Sequence, residues 1–167
     1  KLASGIARVP EMLQAGVTVS LGCDGGPSNN CYDMIHEMKL AALLHKVHSL
    51  DPLVMPAEAV VEMATVNGSE AIGLSNEIGA IMPRKKADIV LVDFKKPHLT
   101  PLHNPVSHMV YAANGSDVHT VIVDGKILME NRIVKTIDEQ RVLEEAEERG
   151  LAVTRRANIT IKSKWSF

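Results

Sequence analysis

Aromatic residues are scarce in this chain: Phe, Trp and Tyr together make up 3% of its 167 residues. Surfaces that bind nucleic acid commonly carry a basic stripe, often interleaved with aromatic side chains. No such stripe occurs here, and the formal net charge is -2 with both signs mixed along the chain. We therefore expect no nucleic-acid partner.

Long apolar runs and cysteines are also few. No run approaches the roughly 20 apolar residues needed to span a bilayer, and no segment has the pattern of a secretory signal. We therefore expect no membrane partner. The two cysteines, Cys23 and Cys31, provide no disulfide framework. Free thiols are usual in a reducing compartment, so we expect a cytoplasmic protein.

Aliphatic residues supply what the aromatics do not. Apolar residues make up 46% of the chain, so a packed core of Leu, Ile, Val, Ala and Met is expected. The chain opens with Lys1 and not with Met. This start suggests a fragment of a longer protein or a trimmed chain.

Residues 1–74 have the pattern of an α/β unit. The segment Val17–Gly22 is short, β-branched and bounded by glycines, which predicts a buried strand. Asp33 is placed to cap a long helix. The predicted elements are a short helix beginning at Pro10, the strand Val17–Gly22, a helix from Met34 to about Val47, and a helix from Ala57 to about Val66 that is interrupted at Asn67-Gly68.

The texture changes after a turn-rich link over 74–86. Strands alternate with turns up to residue 137, and the Asp124-Gly125 pair predicts a hairpin. Asp138 is placed to cap a charged helix with a solvated face. The predicted elements are strands over Ala87–Asp93, Val118–Val123 and Lys126–Met129, and a helix from Glu139 to about Arg156. We accordingly predict three parts: 1–74, 75–137 and 138–167.

The chemistry is concentrated in a Gly-rich loop from Cys23 to Asn30. Asp24 lies just past the end of the predicted strand, which in parallel α/β folds is the edge where ligands bind. A carboxylate there can bind a metal or accept a proton from metal-bound water. An Asp next to Gly also commonly does no more than shape a turn, and local chemistry alone favours that reading.

The histidines form no convincing metal site in the sequence. His45 and His48 are helix neighbours that could pair on a metal, but a surface or rim role fits better. His98, His103 and His108 are spaced through a Pro-rich stretch, where an extended path would separate them. We interpret His98 and His103 as structural hydrogen-bonding residues.

Several segments, in this order and spacing, resemble the C-terminal part of the amidohydrolase superfamily. The similarity is greatest to the methylthioadenosine/S-adenosylhomocysteine deaminases, with triazine chlorohydrolases nearby, and covers about residues 1–150. The matching segments are Lys1-Leu2-Ala3-Ser4-Gly5, Gly16–Gly25, Ser28-Asn29-Asn30, Asp33-Met34, Glu37-Met38-Lys39, Ala64-Thr65, Ile78-Gly79, Lys85-Lys86-Ala87-Asp88, Pro97-His98-Leu99, Pro101–Ser107 and Val121–Gly125.

The resemblance implies the last strand and helices of a (β/α)8 barrel, most of a small β-sandwich domain, and a C-terminal helix. Val17–Gly22 would be the eighth barrel strand. Asp24 would be the metal ligand and catalytic proton shuttle, while Ser28 and Asn29 would lie near the substrate rim. The chain departs from the family pattern at Cys23, where Thr is more usual, and at Arg84, where Gly is more usual.

The zinc that the resemblance implies would need more ligands than this chain offers. The superfamily takes its first two from a His-x-His pair, and this sequence contains none. A catalytic zinc uses about three protein ligands, and one carboxylate is too few. We therefore expect zinc, or another divalent metal, in the parent protein and none bound by this chain alone.

The expected parent activity is hydrolytic deamination of an aminopurine nucleoside-like substrate. Hydrolysis of a triazine, or of another amide or amidine, is the alternative within the superfamily. A non-catalytic oligomerising module is the alternative from another class. The expected partners are a small-molecule substrate in the parent, and either the missing N-terminal part or a second copy of this chain.

Overall fold

A computed structural model describes residues 3–160. Within that range the chain forms helices, 3₁₀ turns and one small antiparallel sheet. The elements, in chain order, are α1 (Val9–Gln14), α2 (Gly26–Asn29), α3 (Met34–Ser49), α4 (Ala57–Ala64), α5 (Val66–Ala71), β1 (Ile89–Val92), a 3₁₀ turn (Pro97–Leu99), α6 (Pro105–Tyr111), a 3₁₀ turn (Gly115–Asp117), β2 (Val118–Val123), β3 (Lys126–Glu130), β4 (Ile133–Val134) and α7 (Glu139–Arg156).

Helix α3 begins where the sequence predicts. The Asp33 carboxylate accepts hydrogen bonds from the backbone N–H groups of Ile35 and His36, which satisfies two otherwise unpaired donors. The predicted apolar face is confirmed, because Ile35, Met38 and Ala42 are all buried. The helix runs two residues past the predicted end.

The core lies where α3, α4 and α6 meet. Val60 and Val110 are fully buried, and Met63 is nearly so. As the composition predicts, the buried core residues within 3–160 are aliphatic, and the partly buried Phe94 and Tyr111 pack against them. The buried apolar residues are Val9, Ile35, Met38, Ala42, Met55, Ala57, Val60, Met63, Leu99, Val110 and Ala113.

The sheet has four antiparallel strands in the order β1-β2-β3-β4. The predicted hairpin at Asp124-Gly125 joins β2 to β3, and the short strand β4 extends it. Ile89 pairs with Ile122, and Val121 pairs with Met129. Of the expected sandwich, residues 3–160 supply this one sheet.

The predicted strand over Val17–Gly22 is wrong for this chain. The segment has no regular secondary structure, although the Leu21 N–H donates to the Met63 carbonyl at 3.1 Å. A β-branched pattern makes a segment suited to a sheet, but a strand exists only with ladder partners. The described residues provide none beside this segment.

The predicted extended path through the proline-rich stretch is also wrong. Pro97 opens a 3₁₀ turn and Pro105 opens α6, where a missing N–H costs nothing. His108 consequently lies on a helix, with its Nε2 3.1 Å from the Pro101 carbonyl. This contact gives the His108 ring a backbone hydrogen-bond partner.

The break between α4 and α5 falls at Thr65 and not at the predicted Asn67-Gly68. The Thr65 hydroxyl donates to the Val61 carbonyl at 2.7 Å, and this local bond competes with the helical pattern. The Thr65 backbone leaves the helical region at φ -130° and ψ -91°. Asn67 and Gly68 lie inside α5.

One carboxylate joins α3 to the turn that precedes the sheet. Besides capping α3, Asp33 accepts a hydrogen bond from the Gly115 N–H at 2.8 Å, across 82 residues of sequence. A side-chain carbon at position 115 would lie 2.9 Å from a carboxylate oxygen of Asp33. The close approach therefore requires glycine at this position.

A second carboxylate, that of the buried Asp117, organises the same turn. Its oxygen lies 2.9 Å from His98 Nε2 and accepts from the Asn114 N–H at 2.9 Å. Burial acts to raise the pKa of Asp117, but the His98 and Asn114 hydrogen bonds outweigh it and the pKa is lowered. The predicted hydrogen-bonding role of His98 is confirmed.

Helix α7 follows the prediction closely. Asp138 accepts from the Arg141 N–H at its start, and the helix contains no buried residue. Its solvated charged face is confirmed. The predicted tail beyond residue 160 lies outside the described residues. None of the helices within 3–160 has the length and apolar character to cross a membrane.

The double role of Asp33 generates a stability prediction. We expect Asp33→Ala to lower the free energy of unfolding by about 2–3 kcal/mol, because it removes a helix cap and a charged acceptor for a distant N–H. The matched control is Asp138→Ala, which removes only a helix cap and should cost at most about 1 kcal/mol. Urea denaturation followed by circular dichroism measures both. Equal losses in the two variants would contradict the link to Gly115.

Candidate active site

Asp24 lies on an exposed turn between the irregular segment 17–22 and the short helix α2. Its φ of +56° places a non-glycine residue in the left-handed region. Asp and Asn tolerate this conformation better than most residues, but it is uncommon. Such conformations persist where the surroundings hold them, and they occur often at functional sites.

Asn29 holds the loop from its far end. Its side-chain Nδ2 donates to the Cys23 carbonyl at 2.7 Å and to Glu37 Oε1 at 2.6 Å. Glu37 is in the first turn of α3, one turn after the cap Asp33. The loop that carries Asp24 is therefore fixed to the same helix that builds the core.

Tyr32 closes the loop on its other side. Its hydroxyl accepts from the Gly26 N–H at 2.8 Å. A side-chain carbon at position 26 would lie 2.5 Å from that hydroxyl oxygen, so the contact requires glycine. Most of Tyr32 is nevertheless exposed.

The predicted site residues come together in one open depression of about 580 Å³. Asp24, Ser28 and Asn29 all line it, beside Glu37. The sequence singled out the first three, but Glu37 appeared only as part of a matching segment with no role assigned. Its position one turn inside a capped helix that follows the loop was the available signal.

The thiol of Cys23 also lines the depression. Partial burial, reinforced by the negative charge of Glu37, raises the pKa of Cys23 above its ordinary value. The thiol form therefore predominates at neutral pH. Cys23 and Cys31 are both free.

A metal ion needs several donor side chains held close together. Across residues 3–160, no three His, Cys, Asp or Glu side chains are grouped closely enough to hold a metal ion. Zinc sites use three or four protein ligands. The described residues around Asp24 thus do not fit a zinc ion by themselves.

This chain belongs to the amidohydrolase family, whose sequence pattern matches residues 1–128. It is 51% identical over 148 residues to a 5-methylthioadenosine/S-adenosylhomocysteine deaminase of Syntrophomonas wolfei, covering 89% of this chain and 34% of that protein. It is 54% identical over 158 residues to a 5'-deoxyadenosine deaminase of Methanosarcina acetivorans, covering 95% of this chain and 36% of that protein. The chain thus spans about a third of the length of these relatives.

Solved structures agree with this assignment. An adenosine deaminase from Xanthomonas campestris with bound zinc superposes with a TM-score of 0.88 at 34% identity, over 92% of this chain and 35% of that one. A triazine hydrolase variant superposes with a TM-score of 0.81 at 26% identity, over 88% of this chain and 32% of that one. The resemblance inferred from the sequence is confirmed.

The environment of Cys23 generates a pH prediction. In a Cys31→Ser variant, we expect the alkylation rate of Cys23 to reach half its maximum above pH 9.0, the ordinary cysteine value. The thiolate is the reactive form, and burial beside Glu37 disfavours it. Iodoacetamide labelling followed by mass spectrometry gives the rate. The same variant unfolded in guanidinium is the control and should return to the ordinary value. A midpoint at or below 9.0 in the folded chain would contradict the assignment.

Proposed function

We propose that this chain is the C-terminal part of a deaminase that hydrolyses a C–N bond of an adenosine-type nucleoside. The observation that carries the proposal is the exposed Asp24 carboxylate, held in a strained turn at the edge of an open depression. The names of the relatives, which include methylthioadenosine/S-adenosylhomocysteine and 5'-deoxyadenosine deaminases, support the substrate class.

Asp24 serves this reaction as a proton carrier. Hydrolytic deamination adds the oxygen of water to the ring carbon that bears the amine, and the C–N bond then breaks to release ammonia. Protons must therefore move from the attacking water to the departing nitrogen. A carboxylate at the rim of the depression can accept the first proton and pass it on. Ser28 lies at the substrate rim in this proposal.

A divalent metal fits the whole protein better than this chain. The Xanthomonas deaminase holds zinc, and Asp24 would contribute one ligand to such an ion. The remaining ligands would have to come from outside residues 3–160, because no three metal-binding side chains are grouped together within that range. We therefore propose that the chain alone retains no zinc.

Two other functions have support. The structural similarity to a triazine hydrolase favours triazine or other amidine hydrolysis as the second candidate. An oligomerising module without catalysis is the candidate from another class, supported by the incomplete donor set. Stoichiometric zinc and ammonia release from the chain as given would favour the enzyme over the module.

The exposed side of α3 has the apolar character of a surface that binds a partner. Leu40, Leu43, Leu44 and Val47 follow the spacing of one helix face, and they are 42–71% exposed. The segment 17–22, in which Val17 is half exposed, lies outside the sheet. Contiguous apolar surface of this kind marks an interface. We propose that it receives either the missing N-terminal part, as the rest of a (β/α)8 barrel, or a second copy.

The organisation and location of the chain complete the proposal. We propose three parts, 1–74, 75–137 and 138–167, with the sheet contributing to a β-sandwich. A reducing, cytoplasmic setting suits the two free thiols.

The decisive test replaces the proton carrier. In a full-length protein that contains this chain, Asp24→Asn should lower kcat for 5'-deoxyadenosine deamination by about 10²–10⁴-fold, the usual loss of a general base. Asn keeps the size of the side chain and tolerates the same backbone conformation, so folding should be retained. Ammonia release measures the rate.

The control for this test is Glu62→Ala, on the exposed face of α4 away from the depression. It should leave kcat unchanged. Near-normal turnover in Asp24→Asn, with Glu62→Ala also normal, would refute the role of Asp24.

The proposed interface generates a prediction on assembly. We expect the chain alone to scatter light with a mass above that of one chain, because exposed apolar surface recruits a partner. Replacing Leu43 and Val47 by Lys should shift it towards the monomer. Arg141→Ala and Arg149→Ala on α7, which contains no buried residue, are the control and should not. A stable monomer of the unaltered chain with a cooperative melt would contradict the interface.

A further inference from the structure

We propose that Asn29 and Glu37 are positioning residues that hold the backbone of Asp24 in its left-handed conformation. The inference rests on the proposed function, because it concerns the site of that reaction. Asn29, which was predicted at the substrate rim, lines the depression, and its amide group bridges Cys23 and Glu37.

The argument begins with the peptide bond before Asp24. The Cys23 carbonyl belongs to the same rigid peptide plane as the Asp24 nitrogen. The rotation of that plane about the N–Cα bond is the φ of Asp24, which is +56°. A hydrogen bond to the Cys23 carbonyl therefore holds this peptide plane in place. Without it, the backbone of Asp24 would relax away from its strained φ.

Asn29 can hold that carbonyl because its own position is fixed. An amide NH₂ has two hydrogens, and here one points to the Cys23 carbonyl at 2.7 Å and the other to Glu37 Oε1 at 2.6 Å. The second bond has an ionised acceptor, which makes it one of the stronger kinds. Asn29 is half-buried, so water competes weakly for these groups.

Glu37 is in turn supported by the core. Its N–H donates to the Asp33 carbonyl at 3.1 Å, and its neighbour Met38 is buried. Support thus passes from the core through α3 and Asn29 to the peptide before Asp24. Small displacements of a catalytic group from its productive geometry cost large factors in rate, so this arrangement determines how well Asp24 transfers protons.

The test compares three variants in a full-length protein that contains this chain. Asn29→Ala and Glu37→Ala break the bridge, whereas Glu37→Gln keeps an oxygen that can accept from Asn29. We expect the two alanine variants to lower kcat by about 10–100-fold with KM little changed, since a misplaced catalytic group affects the chemical step. Glu37→Gln should retain most of its kcat. Glu62→Ala is the control helix variant.

Hydrogen exchange of the peptide that spans 23–31 provides a readout independent of activity. The N–H groups of Ser28, Asn29 and Asn30 all donate to loop carbonyls. Their exchange should become faster in both alanine variants and stay slow in Glu37→Gln and Glu62→Ala.

The outcomes separate this inference from the proposed function. A loss in Glu37→Gln as large as in Glu37→Ala would overturn it, as would a raised KM with unchanged kcat in Asn29→Ala, which would indicate a substrate contact. If the unaltered protein deaminates no nucleoside, the proposed function fails, and the exchange rates alone decide whether the bridge holds the loop. Unchanged exchange in both alanine variants would then overturn the bridge as well.

Discussion

Most of this structure depends on the hydrogen bonds that the carboxylate of Asp33 accepts. One oxygen accepts hydrogen bonds from N–H groups at the start of α3, and the other accepts one from the Gly115 N–H in a turn 82 residues away. That turn leads into β2, one of the two inner strands of the sheet. A single side chain thus sets the start of the core helix, the approach of the sheet, and the base of the loop that carries Asp24.

The candidate site is supported from one side and open on the other. Behind Asp24, the hydrogen bonds that Asn29 donates to Cys23 and Glu37 lead to a helix whose inner face is buried. In front lies an open depression, with too few metal-binding side chains among residues 3–160 to hold an ion. This division is what a chain with a third of the length of its relatives should show, if it contributes one wall of their site.

Local patterns in the sequence predicted most of the elements. The sequence did not predict the features that depend on contacts between distant residues. Capping by Asp33 and Asp138 placed the starts of α3 and α7, and Asp124-Gly125 placed the hairpin, because these signals act within a few residues. The prediction of a strand over 17–22 was wrong because a strand needs neighbouring strands, which no local pattern supplies. The Asn29 bridge could not be predicted either, since it joins a loop to a helix through geometry that exists only after folding.

The left-handed backbone at Asp24 narrows the set of residues that position 24 can hold. Among the twenty amino acids, Gly, Asn and Asp occupy that conformation with least strain, and β-branched or bulky residues are genuine outliers there. Among those three, only Asp has a carboxylate. Glu would keep the charge but is less suited to the turn, and its longer chain would move the carboxylate. Asp therefore combines a carboxylate with tolerance of the left-handed backbone at this position.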